Sequence, residues 1–197
     1  MSLIILAGGK GKRFGSKKQF FTIKGESLVE RCIKRLSPLF GDVVVVTNDI
    51  TELFTLRNKY KIKVVEDEVK DLGAIVGIFT GLKYIKEERA FVCGADMPFI
   101  NLDLVSYLMS KKGKIIVPKV RGFPEALHSV YSKDTVPQIL DLISAGIYKI
   151  SELFNFIDTV YVDENEIRNI DKNLKSFFNL NTRKDLEFLE EVLGKNI

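Results

Sequence analysis

Short apolar runs alternate with helix-spaced apolar stripes through the first half of the chain. Leu3 to Leu6 is β-compatible and leaves no room for a helical face before Gly8 and Gly9 interrupt it, which predicts a buried first strand. Ser27 is placed to cap a helix carrying Leu28, Cys32, Ile33, Leu36 and Leu39 on one face. Val43 to Val46 predicts a strand, Thr51 to Lys59 a short helix, and Ile62 to Val65 a strand ending at Glu66 and Asp67. Ile75, Ile78, Phe79, Leu82 and Ile85 form the clearest helical stripe, followed by a strand from Phe91 to Cys93 that Gly94 stops.

This alternation predicts an α/β fold with right-handed crossovers and a mostly parallel sheet covered by helices on both faces. Ligands of such sheets gather at strand C-termini. The glycine-rich segment, Thr47-Asn48-Asp49, Glu66-Asp67 and Gly94-Ala95-Asp96 all follow predicted strands, so they are expected along one edge. The second half is less regular. Leu104, Val105, Leu108 and Met109 suggest a helix, Ile115 to Val117 a strand, and Ala126 to Tyr131 a strand of imperfect alternation. Val136, Ile139, Leu140 and Ile143 keep helical spacing; Ile157 to Val162 and Ser176 to Leu180 are late strands, joined by a polar connection from Asn165 to Lys175. Thr182, with Asp185 three residues later, opens a terminal helix carrying Leu186, Leu189 and Leu193.

Composition adds bounds. The chain has 197 residues, 28% charged and 46% hydrophobic, with no low-complexity stretch, which suits one globular domain spanning 1–197. The net charge of +4 is small, but cations concentrate between Lys10 and Lys34, favouring a small anionic ligand over a nucleic-acid duplex. Cys32 and Cys93 lie far apart without a Cys-x-x-Cys, and are expected as buried thiols. No secretory leader precedes the first strand, so a cytoplasmic location is expected. No apolar run approaches the roughly 20 residues of a bilayer span, and no membrane partner is expected.

The segment after the first strand carries the sharpest chemistry. Gly8, Gly9, Gly11 and Gly15 let backbone N–H groups approach a ligand, and Lys10, Lys12, Arg13, Lys17 and Lys18 supply cations suited to a polyphosphate; the competing reading is a glycine turn followed by a solvated basic face. The Walker A register fails, because five residues before Gly15 stands Lys10 and after it comes Ser16. The dinucleotide fingerprint fails too, since Gly9, Gly11 and Gly15 leave one residue too many before the last glycine.

Asp96 follows a strand and precedes Met97-Pro98, which stops helix continuation. Its carboxylate is either a Mg²⁺ ligand beside a phosphate loop or a cap on the turn before Pro98. Asn179 and Asn181 share a face if Ser176 to Leu180 is a strand. One of them completes a metal shell or binds a phosphate while the other caps the last helix; Asn181 stands with Asp96 as a metal-ligand candidate. His128, the only histidine, occupies a predicted strand, where a packed role competes with catalysis. No serine, histidine and acid arrangement or paired-acid spacing argues for hydrolysis.

Together, Leu6-Ala-Gly-Gly-Lys-Gly-Lys-Arg13-Phe-Gly15 with Lys18, Gly94-Ala-Asp96-Met-Pro98-Phe99, and Phe178-Asn-Leu-Asn-Thr182 with Asp185-Leu186 resemble the molybdenum cofactor guanylyltransferases of the MobA type over nearly the full length. The resemblance implies a Rossmann-like three-layer sandwich, the nucleotide-diphospho-sugar transferase fold, in a single nucleotidyltransferase domain. It implies GMP transfer from GTP to molybdopterin or molybdenum cofactor with Mg²⁺, and transient contact with cofactor-synthesis or molybdoenzyme proteins. By the same resemblance Leu6, Ala7 and Gly8 contact the nucleotide, Gly9 to Gly15 wrap its phosphates, and Arg13 and Lys18 neutralise them. Asp67 binds the guanosine portion, Asn48 the base, and Asp96 the metal. Arg13, Lys18 and Asp96 are then the catalytic set. Two departures stand out. Gly73-Ala74-Ile75-Val76-Gly77 replaces the family's Gly-Pro-Leu-Ala-Gly, and Phe123-Pro124-Glu125-Ala126-Leu127-His128 stands where Pro-Leu-His or His-Pro is usual and where acceptor recognition is expected. Competing readings are a cytidylyl- or sugar-phosphate nucleotidyltransferase and, from another class, a nucleic-acid-binding module.

Overall fold

The computed structural model describes residues 1–8, 21–67 and 72–194. In chain order its strands are β1 (Ser2–Leu6), β2 (Thr22–Ile23), β3 (Glu26–Ser27), β4 (Val43–Thr47), β5 (Lys63–Glu66), β6 (Arg89–Gly94), β7 (Ile115–Val120), β8 (Phe123–Pro124), β9 (His128–Ser132) and β10 (Thr159–Asp163). Its α-helices are α1 (Leu28–Leu36), α2 (Phe54–Tyr60), α3 (Ala74–Tyr84), α4 (Leu102–Ser110), α5 (Val136–Ser144), α6 (Glu164–Arg168) and α7 (Arg183–Gly194).

One sheet runs in the order β10-β7-β9-β6-β1-β4-β5, with β8 paired to β7. β1 lies between β4 and β6 and is parallel to both, with Leu6 opposite Val46 on one side and Gly94 on the other. β5 extends the parallel set, while β9 runs against β6 and β7 and the two-residue β8 against β7, the exceptions to the predicted direction. The chain steps outward from β1 to β4 and β5, then returns to place β6 on the opposite side of β1. A crevice therefore opens between the C-terminal ends of β1 and β6, the switch point at which open α/β sheets bind ligands.

Strand periodicity assigns the two faces. Leu3, Ile5, Val43 and Val45 point to one side, where Val29, Ile33 and Leu36 of α1, Leu56 of α2 and Leu104 and Leu108 of α4 cover them. Ile4, Val44 and Val46 point to the other, under Ile75, Ile78 and Leu82 of α3 and Ile139 and Leu142 of α5. The fold is thus the expected α/β class. Ser27 caps α1 as predicted, its hydroxyl accepting from the N–H of Glu30 at 3.2 Å.

Several expectations are corrected. Leu39 leaves the α1 stripe because the chain tightens into a 3₁₀ turn at Ser37–Leu39, and its side chain is 37% exposed. On α5 the buried positions are Ile139 and Leu142, while Leu140 is 47% exposed. β9 starts only at His128, after the N–H of His128 turns back to the carbonyl of Glu125. It is buried along its length because both faces of the sheet are covered there, Val130 packing on the α1 and α4 side and Tyr131 on the α3 and α5 side, which explains its poor alternation. The segment from Asn165 to Lys175 contains most of α6. Ser176 to Leu180 is not a strand. Leu174 is left-handed at φ 54°, and the Asp171 carboxylate accepts from the N–H groups of Lys175 (3.1 Å) and Ser176 (2.8 Å), curling the chain into a 3₁₀ turn. The Ser176 hydroxyl then accepts from the N–H of Asn101 at the start of α4.

His128 is wholly buried, edge-on to Phe91 at 5.1 Å and against Phe177 at 4.9 Å, and both ring nitrogens lack a hydrogen-bond partner. Its role is packing. Burial pushes its pKa down to about 3, opposed by the charge of Asp171.

Two stability tests follow from this packing. An added Cβ on Gly81 of α3 would stand 2.6 Å from Cγ2 of the wholly buried Ile4. Overpacking of about 1–3 kcal/mol outweighs the helix-propensity gain of about 1 kcal/mol, so Gly81→Ala should lower unfolding free energy in a denaturant titration. Gly41→Ala, where a Cβ meets nothing within 4 Å, is the control; equal stability of the two variants would disprove the close approach. For His128, the unfolded chain gains a proton below its ordinary pKa of 6.5 while the native ring stays neutral to about 3. Its contribution is fully present above pH 6.5 and is lost as pH falls through that window, by up to about 1.4 kcal/mol per unit. Wild type should therefore lose stability more steeply than His128→Leu between pH 7 and pH 4. Parallel profiles would contradict a neutral buried ring.

Candidate active site

Three backbone hydrogen bonds hold the crevice together. The N–H of Ala7 donates to Val46 O at 2.8 Å, that of Ala95 to Leu6 O at 3.0 Å, and that of Asp67 to Thr47 O at 2.9 Å. They continue the parallel ladder just past the strand ends, so Leu6-Ala7-Gly8, Asn48, Asp67 and Ala95-Asp96 line one edge as the sequence predicted. Thr47 turns its chain away by accepting from the N–H of Asp49 at 3.1 Å. That turn leaves the Asn48 side chain beside Gly8, whose added Cβ would lie 3.7 Å from Asn48 Oδ1. This oxygen is buried without a hydrogen-bond partner, an acceptor suited to a donor entering next to Gly8. Gly9, Arg13 and Lys18, with the rest of the glycine-rich segment to residue 20, lie outside the described residues.

Asp96 stands half-buried in the turn after β6. A Cβ on Gly94 would collide with Asp96 Oδ1, so only glycine lets the carboxylate fold back over the strand end. Behind it, Cys93 and Cys32 are buried free thiols with their sulfurs 3.8 Å apart, as expected. Burial, the neighbouring thiol and the charge of Asp96 all push the Cys93 thiol up, so it is inert at neutral pH.

Asp67 sits against α3. Its Oδ1 accepts from the buried hydroxyl of Thr80 at 3.1 Å, and its Oδ2 lies 3.7 Å from where a Cβ on Gly77 would be. That Cβ would also press on Leu6, at 3.2 Å from Cδ2. Gly77, Thr80 and Gly94 were not singled out as site residues from the sequence. The available signal was a hydroxyl inside an otherwise apolar helical stripe. Ala74 begins α3, and the preceding Gly73 takes a left-handed φ of 96°.

The C-terminal segment returns to the same crevice. The N–H of Leu180 donates to Asp96 O at 3.0 Å, which brings the chain at Asn181 alongside the Asp96 turn. Asp185 Oδ2 accepts from the N–H groups of Asn181 (2.8 Å) and Thr182 (2.6 Å), and Thr182 Oγ1 accepts from the N–H of Asp185 at 3.2 Å. This reciprocal pair is the predicted capping box with Asp in place of Glu. Thr182 therefore caps α7 and neither asparagine does; Asn179 donates to the carbonyl of Phe177 at 3.5 Å. Phe178 and Phe188 clasp Phe99, at 5.6 and 6.3 Å, locking α7 onto the Asp96-Met97-Pro98 turn. No group of three or more His, Cys, Asp or Glu suited to a metal occurs among the described residues.

The segment expected to meet the acceptor rises at the same edge. β7 runs in the direction of β1, and Arg121 and Gly122, at φ 52° and 83°, form the tight turn into β8. Phe123 is 72% exposed at its tip. Glu125 at its base is half-buried; burial pushes its carboxyl up, partly offset by Arg121.

Known proteins share both sequence and fold with this chain. The family model described as MobA-like NTP transferase domain matches residues 3–160. A probable molybdenum cofactor guanylyltransferase of Natranaerobius thermophilus is 34% identical over 201 residues, covering 99% of this chain and 97% of the relative. The molybdenum cofactor guanylyltransferase of Syntrophotalea carbinolica is 34% identical, covering 94% and 89%. The crystal structure of molybdopterin-guanine dinucleotide biosynthesis protein A from Archaeoglobus fulgidus superposes with a TM-score of 0.85 at 30% identity, covering 99% of this chain and all of that one.

Proposed function

This chain belongs to the MobA-like NTP transferase family, and from that membership we propose that it transfers GMP from GTP to the terminal phosphate of molybdopterin or its molybdenum-bearing form. The observation that carries this reading is 34% identity over nearly the whole chain to relatives named molybdenum cofactor guanylyltransferases. A phosphate oxygen of the acceptor attacks the α-phosphorus of GTP, a new P–O bond forms, the α–β bridging bond breaks, and pyrophosphate leaves. The attacking oxygen is already anionic, so neither a protein nucleophile nor a general base is needed. The protein's work is alignment of two anions and stabilisation of charge on the transferring phosphoryl group.

In this reading Leu6, Ala7, Gly8 and Gly9 hold the nucleotide, Arg13 and Lys18 neutralise its phosphates, and Asn48 and Asp67 contact the guanosine. Asp96 offers one hard oxygen donor beside a polyphosphate loop. Mg²⁺ is commonly held by one or two carboxylates plus substrate phosphates, so this donor set fits it without a dedicated protein cage. Asp96, with Asn181 beside its turn, would hold Mg²⁺, which when bound draws charge from the phosphate oxygens. A cytoplasmic site of action, and handover of the product to cofactor-synthesis or molybdoenzyme proteins, complete the proposal. No helix among the described residues is long and apolar enough to cross a membrane.

The test supplies purified protein with Mg²⁺, molybdopterin and each of GTP, CTP, UTP and ATP, and identifies products by mass. The guanine dinucleotide and pyrophosphate are expected from GTP alone; a product from CTP, UTP or ATP instead would replace this reading. Asp96→Ala and Lys18→Ala should each slow pyrophosphate release by about 10²- to 10³-fold with the fold intact, the usual cost of one lost electrostatic contact at a transferring group. Gly94→Ala should slow it by at least about 10-fold by displacing the Asp96 carboxylate. Near-normal turnover by Asp96→Ala would remove Asp96 from the metal site.

A further inference from the structure

We propose that Thr80 is a positioning residue for recognition of the guanine base, acting through Asp67; this rests on the assignment of Asp67 to the guanosine portion. Ile75 to Leu82 of α3 are buried without interruption, and Thr80 is the one polar side chain in that run, wholly screened from solvent. A hydroxyl in such a setting costs stability unless it is hydrogen-bonded. Its partner is Oδ1 of Asp67 at 3.1 Å, across thirteen residues of sequence and at the end of a different element.

The contact has a geometric consequence. Asp67 has just left β5, where its N–H makes a ladder bond to Thr47, and its side chain is half-buried at the crevice. Thr80 pulls one oxygen onto the helix, and the missing side chain of Gly77 leaves room for the other beside Leu6. Guanine presents two adjacent donors, N1–H and the 2-amino group, which a correctly rotated carboxylate accepts as a pair. Adenine has an acceptor at N1, and hypoxanthine keeps N1–H but lacks the amino group. Discrimination among them depends on the rotation of the Asp67 carboxylate, which the β-branched, helix-borne Thr80 restricts. A site built to pair with such donors rejects analogues that lack them. The Ala74 that replaces the family's proline leaves this contact untouched, because Thr80 lies more than a turn further along α3.

The experiment compares wild type, Thr80→Val, Thr80→Ser and Asp67→Asn, with GTP and ITP as donors in the transfer assay and melting temperatures as a check of folding. Thr80→Val keeps the shape and removes the donor; it should raise KM for GTP about 10-fold, as expected for losing a hydrogen bond to a charged group, and narrow the preference for GTP over ITP. Its kcat should stay within about two-fold of wild type, because the phosphate chemistry is untouched. Thr80→Ser restores the donor and should restore both KM and preference. An unchanged preference in Thr80→Val, or a loss in Thr80→Ser as large as in Thr80→Val, would overturn the positioning role. If Asp67→Asn abolishes the preference and Thr80→Val does not, Thr80 alone is rejected. If Asp67→Asn itself leaves the preference intact, the assignment of Asp67 fails and the Thr80 proposal with it.

Discussion

The double parallel register of β1 governs where chemistry can occur in this protein. With β4 on one side and β6 on the other, Leu6 is matched to both Val46 and Gly94. A one-residue slip on either side would turn every side chain of that pairing to the opposite face, exchanging the residues under α1 with those under α3. Because both faces are covered, the register is strongly held, and it brings the ends of distant segments level. The hydrogen bonds from Ala7 to Val46 and from Ala95 to Leu6 are the last rungs of that ladder. Beyond them the chain leaves the sheet at the edge where open α/β sheets bind ligands.

Missing side chains extend the same constraint to the site. Gly81 allows α3 to lie on Ile4, Gly77 keeps Leu6 and Asp67 in the space a methyl would take, and Gly94 leaves room for the Asp96 carboxylate. At Gly77 and Gly81 the need is proximity, since a helical backbone suits any residue. At Gly73 it is conformation, because φ 96° disfavours a Cβ wherever the neighbours stand. α7 adds a third support. Its capping box and the Phe99, Phe178 and Phe188 cluster fasten it to the turn carrying Asp96, so the chain's last helix braces a residue at the end of its sixth strand.

Where the candidate site residues would lie was largely legible in the sequence. Leu6 ends a strand, and Ala7, Gly8, Asn48, Asp67 and Asp96 follow strands, whose apolar pattern is strong enough to be recognised locally, and α/β topology places such positions on one edge. The errors fell where nonlocal groups decide. Ser176 to Leu180 has a strand-like apolar pattern, but the Asp171 carboxylate and the left-handed Leu174 bend it into a turn. Leu140 has helical spacing, but α3 and the strands beneath α5 bury Leu142 in its place. Thr80 was passed over because a threonine inside an apolar stripe looks like packing until its partner is known.

The sequence by itself determined the alternation of strands and helices, the α/β class, the caps of α1 and α7, and the segments that end at the ligand edge. These depend on periods of two and 3.6 residues and on hydrogen bonds that span only a few positions. Tertiary structure alone decided that β6 returns to the far side of β1, that β9 runs against its neighbours, and that Thr80 meets Asp67. Those outcomes depend on which surfaces meet across long loops. The free energy of such contacts belongs to pairs of distant residues, so it leaves no periodic trace along the chain.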